Sequence, residues 1–379
     1  MQPLKGYKMK FLREIAKIAE WGLKGDVTRV SAYVQQLAEK LRAEGDQQAA
    51  SYLRDLLNKS VVLAETSAIQ SQMRLPVDTE SRLALADEDA VGPGQVPIIL
   101  DEATNRVVDE FINFVQKADQ LEAHGVGIAP SLITYGPPGS GKTHLARYIA
   151  SRLGFPLVTA RADTLISSFL GSTSKNLRQL FDHVSHRHCI LFLDELDAFA
   201  KLRDDAQEMG ELKRVVVSLL QNIDALDRAT VVLAATNHEH LLDPAIWRRF
   251  TYKIPLPLPA AAQRLQLFDL FLGKYAQDVD KKLLSVISTT LSGADIRSLT
   301  ETAIREAVIA NRESVNENGL VWRIIRFRLK QEISADPSSA QLRAVRDLAP
   351  EHLNGIRLAA IFNTSRSTIS RKLHKVGEV

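Results

Sequence analysis

A chain of 379 residues that is 45% apolar exceeds one small domain and can bury a core in each of two or three. Its 48 Lys and Arg against 45 Asp and Glu leave a formal charge of +3, which excludes a chain-wide basic field; nucleic-acid contact would need a local patch. A single cysteine excludes an internal disulfide, and neither a signal-peptide core nor 18 consecutive apolar residues occur, so a cytoplasmic chain with no membrane partner is expected.

From Lys8 to Lys59 apolar residues recur at helical spacing: Phe11, Ile15 and Ile18, then Val30, Val34 and Leu37, then Ala50, Leu53 and Leu57. Asp26 and Asp46, each after a glycine, are placed to cap the second and third of these helices. The spacing predicts a three-helix hairpin domain over residues 1–60. Residues 61–96 are acidic and broken by Val91-Gly92-Pro93-Gly94, which reads as a linker.

From 97 to 259 apolar β-rich runs alternate with helical patterns: Leu132 to Tyr135, Leu157 to Ala160, Cys189 to Leu193, Val231 to Ala235 and Tyr252 to Leu256. Strands that are apolar on both faces imply a doubly wound parallel sheet, so the fold class is α/β, with Cys189 as a small core residue. Residues 260–335 are helical throughout and form a lid, and 336–379, set off by Asp336-Pro337-Ser338-Ser339, form a separate short helical unit.

Gly136-Pro137-Pro138-Gly139-Ser140-Gly141-Lys142-Thr143 lies between an apolar strand and a helix that starts Thr143-His144-Leu145, the setting of a phosphate-binding loop. Its glycines let backbone N–H groups curl around a phosphate, Lys142 supplies a point charge, and the Thr143 hydroxyl can ligate Mg²⁺. About fifty residues on, Ile190-Leu191-Phe192-Leu193 ends in two carboxylates. There Asp194 can hold Mg²⁺ through water and Glu195 can polarise the attacking water, so ATP and Mg²⁺ are the expected cofactors.

With these residues in place, Pro97 to Asn311 resembles the AAA ATPases, most closely the katanin, spastin and ESCRT-disassembly branch. Thr236-Asn237 is similar to the family's sensor-1 motif, which implies that Asn237 orients the hydrolytic water. Leu242-Asp243-Pro244-Ala245-Ile246-Trp247-Arg248-Arg249-Phe250 is similar to its second region of homology, which implies that Arg248 and Arg249 reach into a neighbouring subunit and that the chain works as a homohexamer. Gly293 and Ala294, in Ser292-Gly293-Ala294-Asp295, resemble the lid turn over the nucleotide, which adds them to a cofactor set running from Gly136 to His144. Ala225 in Gln221-Asn222-Ile223-Asp224-Ala225-Leu226 departs from the glycine of the family's intersubunit signalling turn.

Phe169, Leu170 and Gly171 are similar to the central-pore loop of protein-threading members. An exposed aromatic there grips extended polypeptide with little sequence preference; the plainer reading packs Phe169 under its own helix. At the C-terminus, Leu358 to Leu373 resembles a helix-turn-helix. Ala359 is small at the helix crossing, Asn363 suits a left-handed turn and Ile369 points inward, which leaves Arg366, Ser367, Thr368 and Arg371 exposed; with the cation Lys372 they could meet double-stranded DNA, or the same unit could serve a protein contact.

The leading reading is an ATP-hydrolysing ring that threads or remodels a protein client, for a separate protease or other effector, since the chain carries no His-Glu-x-x-His of its own. A DNA-directed ATPase using the C-terminal unit and a nucleotide-gated assembly scaffold stand as alternatives.

Overall fold

The computed structural model describes Lys17, residues 33–34, 37–42, 46–47, 49–53 and 75–78, and residues 83–374 apart from 93, 95, 127–129, 162–164, 166–169, 186, 199–208, 227–229, 278 and 335. The chain divides into two compact units, Met1–Arg74 and Leu75–Val379. In the first, described residues between 33 and 53 are helical in the stretches expected for the second and third helices. Asp46 caps the latter, its carboxylate accepting from the Ala49 N–H at 3.0 Å.

The second unit begins with β1 (Ala86–Asp89), α1 (Glu102–Gln116), α2 (Ala118–Ala123), β2 (Ser131–Tyr135), α3 (Lys142–Leu153), β3 (Leu157–Ala160), α4 (Leu170–Val184) and β4 (Cys189–Leu193). It continues through α5 (Met209–Ala225), β5 (Thr230–Thr236), α6 (Pro244–Trp247) and β6 (Tyr252–Pro255). The sheet order is β1-β3-β4-β5-β2-β6, parallel except for β1, which runs antiparallel to β3.

Alternate residues of a strand face opposite sides. In β4, Cys189, Leu191 and Leu193 join one core with Leu180, Phe181 and Leu219, while Ile190 and Phe192 join another with Phe111, Leu145 and Ile149. Both faces are therefore sealed by helices, which is why the strands read as continuous apolar runs. Cys189 is fully buried, and that burial pushes its thiol up to about 12, which makes it an inert core residue.

The expected acidic linker over 61–96 does not hold at its end, because Ala86–Asp89 is an edge strand. Only Leu85 and Ala86 enter the core there, so the segment shows no apolar run. Glu88 accepts from the buried Arg187 guanidinium at 2.7 Å, and that guanidinium also meets His183 Nε2 at 2.6 Å.

The lid comprises α7 (Ala261–Leu272), α8 (Lys281–Ile287), α9 (Gly293–Ile309) and α10 (Glu317–Leu329); α11 (Ser339–Asp347), α12 (Gly355–Ile361) and α13 (Arg366–His374) follow. Expected as a separate unit, these last three helices share one core with the lid: Leu342, Leu358, Phe362 and Ile369 cluster with Phe268, Leu284, Ile296 and Ile324. Among the described residues no helix is long and apolar enough to cross a membrane.

His183 must be neutral to accept from Arg187, and burial, with Arg187 second, lowers its pKa below 6.5. The unfolded chain then binds more protons than the folded one just below that value. Stability from this group is full above pH 6.5 and declines as pH falls through it. Thermal unfolding from pH 7.5 to 5.5 is expected to show a steeper loss in wild type than in His183→Gln; equal slopes would contradict it.

Candidate nucleotide site

Pairing registers decide which side chains meet at the carboxyl edge of the sheet. Leu193 pairs with Ala234 and Tyr135 with Thr236, so the residues after β4, β5 and β2 converge: Asp194, Asn237 and Gly136. Helices leave β2 and its neighbours toward opposite faces of the sheet, the place where parallel α/β sheets hold ligands.

Gly136 has φ +146°, and a Cβ there would lie 2.2 Å from Leu256 O, so no other residue fits. Gly141, at φ +102°, delivers the chain into α3. Lys142 is buried, with Nζ donating to the carbonyls of Gly136 and Pro137, both at 2.8 Å. Burial pushes its pKa down, opposed by the nearby Asp194, Asp197 and Glu239 carboxylates. The loop thus curls around its own ammonium. Pro138 and Gly139 are exposed at its crest, with Ser140 half-buried beside them.

The Thr143 hydroxyl donates to Asp194 Oδ2 at 2.8 Å. A hydroxyl and a carboxylate in contact are the hard oxygen donors that Mg²⁺ takes when phosphate supplies the remainder. Among the described residues no group of three or more His, Cys, Asp or Glu could hold a metal ion by itself. Glu195 is exposed and adopts φ +51°, in the left-handed region where a side chain like glutamate is uncommon. Its own N–H donates to Asp194 Oδ1 at 2.9 Å.

Asp197 was not singled out by the sequence reading. It is buried and accepts from Thr236 Oγ1 at 3.0 Å and from the Asn237 N–H at 3.2 Å. One carboxylate thereby ties the segment carrying Asp194 and Glu195 to the one carrying Asn237. The signal available was the third acid of Asp194-Glu195-Leu196-Asp197.

The lid closes on the loop directly. Ala294 N–H donates to Gly139 O at 3.2 Å, and a Cβ on Gly139 would lie 2.5 Å from Ser292 Oγ. Ser292 and Asp295 cap α9 reciprocally, which fixes Gly293 and Ala294 at that contact. His144 is exposed, its Nε2 2.7 Å from Pro97 O, so it is tied to the chain entering the domain.

Arg248 and Arg249 follow α6. Arg249 O accepts from Ser131 Oγ at 2.9 Å, at the start of β2, whereas the loop leaves its end about 13 Å away at the usual rise per residue. The Arg249 guanidinium grips Asp224 with both arms, at 3.0 and 2.9 Å, and Arg248 is exposed. With Ala225 in place of glycine, α5 runs unbroken through Asp224.

Phe169 lies outside the described residues, and Leu170 and Gly171 form the start of α4, so the loop expected there ends before them. In the helix-turn-helix stretch Asn363 is left-handed at φ +49° and Ala359 and Ile369 are buried, as their positions suggested. Lys372 and Thr368 depart from the reading. The Lys372 ammonium contacts the Asp336 carboxylate and donates to Pro337 O at 2.8 Å, and Thr368 meets the capping Ser365 hydroxyl at 2.9 Å. Both are half-buried, whereas Arg366, Ser367 and Arg371 are exposed, Ser367 with its hydroxyl 2.8 Å from that of Ser365; Ser370 and His374 are exposed as well.

A glycine-rich loop at the switch point, a strand-end acid pair and a helical lid on the loop define a P-loop nucleoside triphosphatase. The family profile for the ATPase family associated with various cellular activities (AAA) matches residues 132–258. An AAA family ATPase of Sinorhizobium fredii, y4kL, is 37% identical over 220 residues, which cover 58% of this chain and 67% of that one. A proteasome-activating nucleotidase of Methanopyrus kandleri is 30% identical, over 68% and 62% of the two chains, and the ATP-dependent zinc metalloprotease FtsH of Thermus thermophilus 29%, over 70% and 46%. The chain belongs to the AAA family of P-loop ATPases, binding ATP and hydrolysing it. Of the lengths of these three relatives it spans between 46% and 67%.

Two outcomes follow from the geometry. Gly139→Val should drive the lid off the loop and cut ATP turnover at least tenfold while the melting temperature moves by only a few degrees; unchanged turnover would separate lid contact from catalysis. Asp197→Ala leaves two donors without their acceptor, at roughly 1–3 kcal/mol, and should lower both stability and turnover in denaturant titration and ATPase assays.

Proposed function

We propose that each subunit holds ATP on the loop from Gly136 to His144 under Gly293 and Ala294, with Thr143 and Asp194 holding Mg²⁺ and Lys142 leaving its carbonyls for the phosphates. Mg²⁺ would neutralise charge on the phosphate oxygens. Glu195 polarises the attacking water and Asn237, braced through Asp197, orients it. A neighbouring subunit supplies Arg248 and Arg249, as in the katanin, spastin and ESCRT-disassembly branch, so the working form is a closed ring, a homohexamer. The observation that carries this reading is the placement of Arg249: it is anchored at the opposite end of β2 from the loop and bound to Asp224, so it cannot serve its own site.

The work done on each turnover is the remodelling or threading of a protein client gripped by Phe169, delivered to a separate protease or other effector. Support comes from relatives whose names pair nucleotide hydrolysis with proteolysis, a proteasome-activating nucleotidase and an ATP-dependent protease. The N-terminal helices would recruit the client.

Steady-state ATPase assays with and without an unfolded polypeptide test it. Glu195→Gln should lose turnover by about a hundredfold or more yet bind ATP. Wild type should be stimulated by polypeptide, and Phe169→Ala should keep basal turnover but lose the stimulation. Stimulation that survives in Phe169→Ala, or that only DNA produces, would sink the threading reading.

A further inference from the structure

The three C-terminal helices present a surface that nucleotide chemistry does not use. α12 and α13 are joined by a turn through the left-handed Asn363, and Leu358, Phe362 and Ile369 pack between them and α10. Ser365 caps α13, its hydroxyl accepting from the Thr368 N–H at 3.1 Å, while Asn354 caps α12 from Ile356 and Arg357. This is the packing of a helix-turn-helix, in which the second helix stands clear of the body.

The outward side of α13 is Arg366, Ser367, Ser370, Arg371 and His374, all exposed and recurring at helical spacing, opposite buried Ile369. Each can donate hydrogen bonds, and none is acidic or aliphatic. Lys372, the cation on the inward side, is neutralised by Asp336, whereas no ion pair joins Arg366 or Arg371 to an acid among the described residues. Residues 339–374 carry six Lys or Arg against two acids, Asp347 and Glu351, in a chain that is otherwise near neutrality.

We propose that this face of α13 binds double-stranded DNA, with Arg366 and Arg371 meeting base edges and phosphates in the major groove and Ser367 and Ser370 alongside them. A helix bearing two exposed guanidiniums and small hydroxyl side chains fits a groove lined by acceptors, where arginine can bind guanine through two hydrogen bonds. A protein partner would ordinarily need an apolar centre on the docking face, and among the described residues this one has none. Because α11 to α13 share a core with the lid, and the lid touches the phosphate loop at Gly139, the proposed face is built onto the domain that contacts that loop.

Fluorescence anisotropy of labelled 30-base-pair duplexes with the full chain and ATP tests this. Wild type should bind at about 50 mM salt and weaken steeply with added salt. Arg366→Ala and Arg371→Ala should each weaken binding tenfold or more and flatten the salt dependence, Arg371→Lys should recover part of the loss, and basal ATPase should stay within twofold throughout. Absence of binding at low salt, equal binding by the double alanine variant, or equal affinity for phosphatidylglycerol vesicles would overturn the proposal. So would loss of polypeptide-stimulated ATPase in the double variant with duplex binding intact, which would give the face to a protein.

Discussion

A lysine ammonium buried at the edge of a parallel sheet is the constraint on which the rest of this structure depends. Lys142 is removed from water, and the carbonyls of Gly136 and Pro137 accept its hydrogen bonds. Those carbonyls can turn inward only because Gly136 crowds Leu256 with no side chain, and Gly141 can then begin α3 from a left-handed backbone. A loop that already encloses a cation at a helix N-terminus needs little reorganisation to exchange carbonyl oxygens for phosphate oxygens.

From that point the structure extends in two directions. Across the sheet, Asp197 joins the acid-bearing turn after β4 to the end of β5, so the segments carrying Asp194, Glu195 and Asn237 are tied to one another. Above the loop, Ser292 and Ala294 rest on Gly139, and the core behind them runs unbroken through the lid into the helix-turn-helix. A change at the loop therefore has a packed route to the C-terminal helices, since close-packed side chains transmit displacement.

Much of this was legible in the sequence, for reasons that can be located. Strands such as Cys189–Leu193 are buried on both faces and read as apolar runs, and the phosphate loop combines glycines, lysine and threonine at a spacing that backbone geometry demands. What escaped was polar. Ala86–Asp89 is an edge strand held by the Glu88–Arg187 pair, and charged edge strands carry no apolar alternation. Asp197 looks like its two neighbouring acids until the fold buries it. Lys372 and Thr368 resembled ligand-facing residues because helical spacing alone does not reveal which polar side chains fold back onto a cap or a loop.

The central claim is that the catalytic site is unfinished within one subunit and is completed by its neighbour's arginines. Turnover per subunit, measured from nanomolar to micromolar protein, tests it most directly, together with mixtures of wild type and Arg248→Ala. Specific activity should rise with concentration as subunits assemble, and Arg248→Ala subunits should depress mixed assemblies by more than their share. A specific activity that is constant with dilution, and mixtures that fall in simple proportion to the wild-type fraction, would contradict the account.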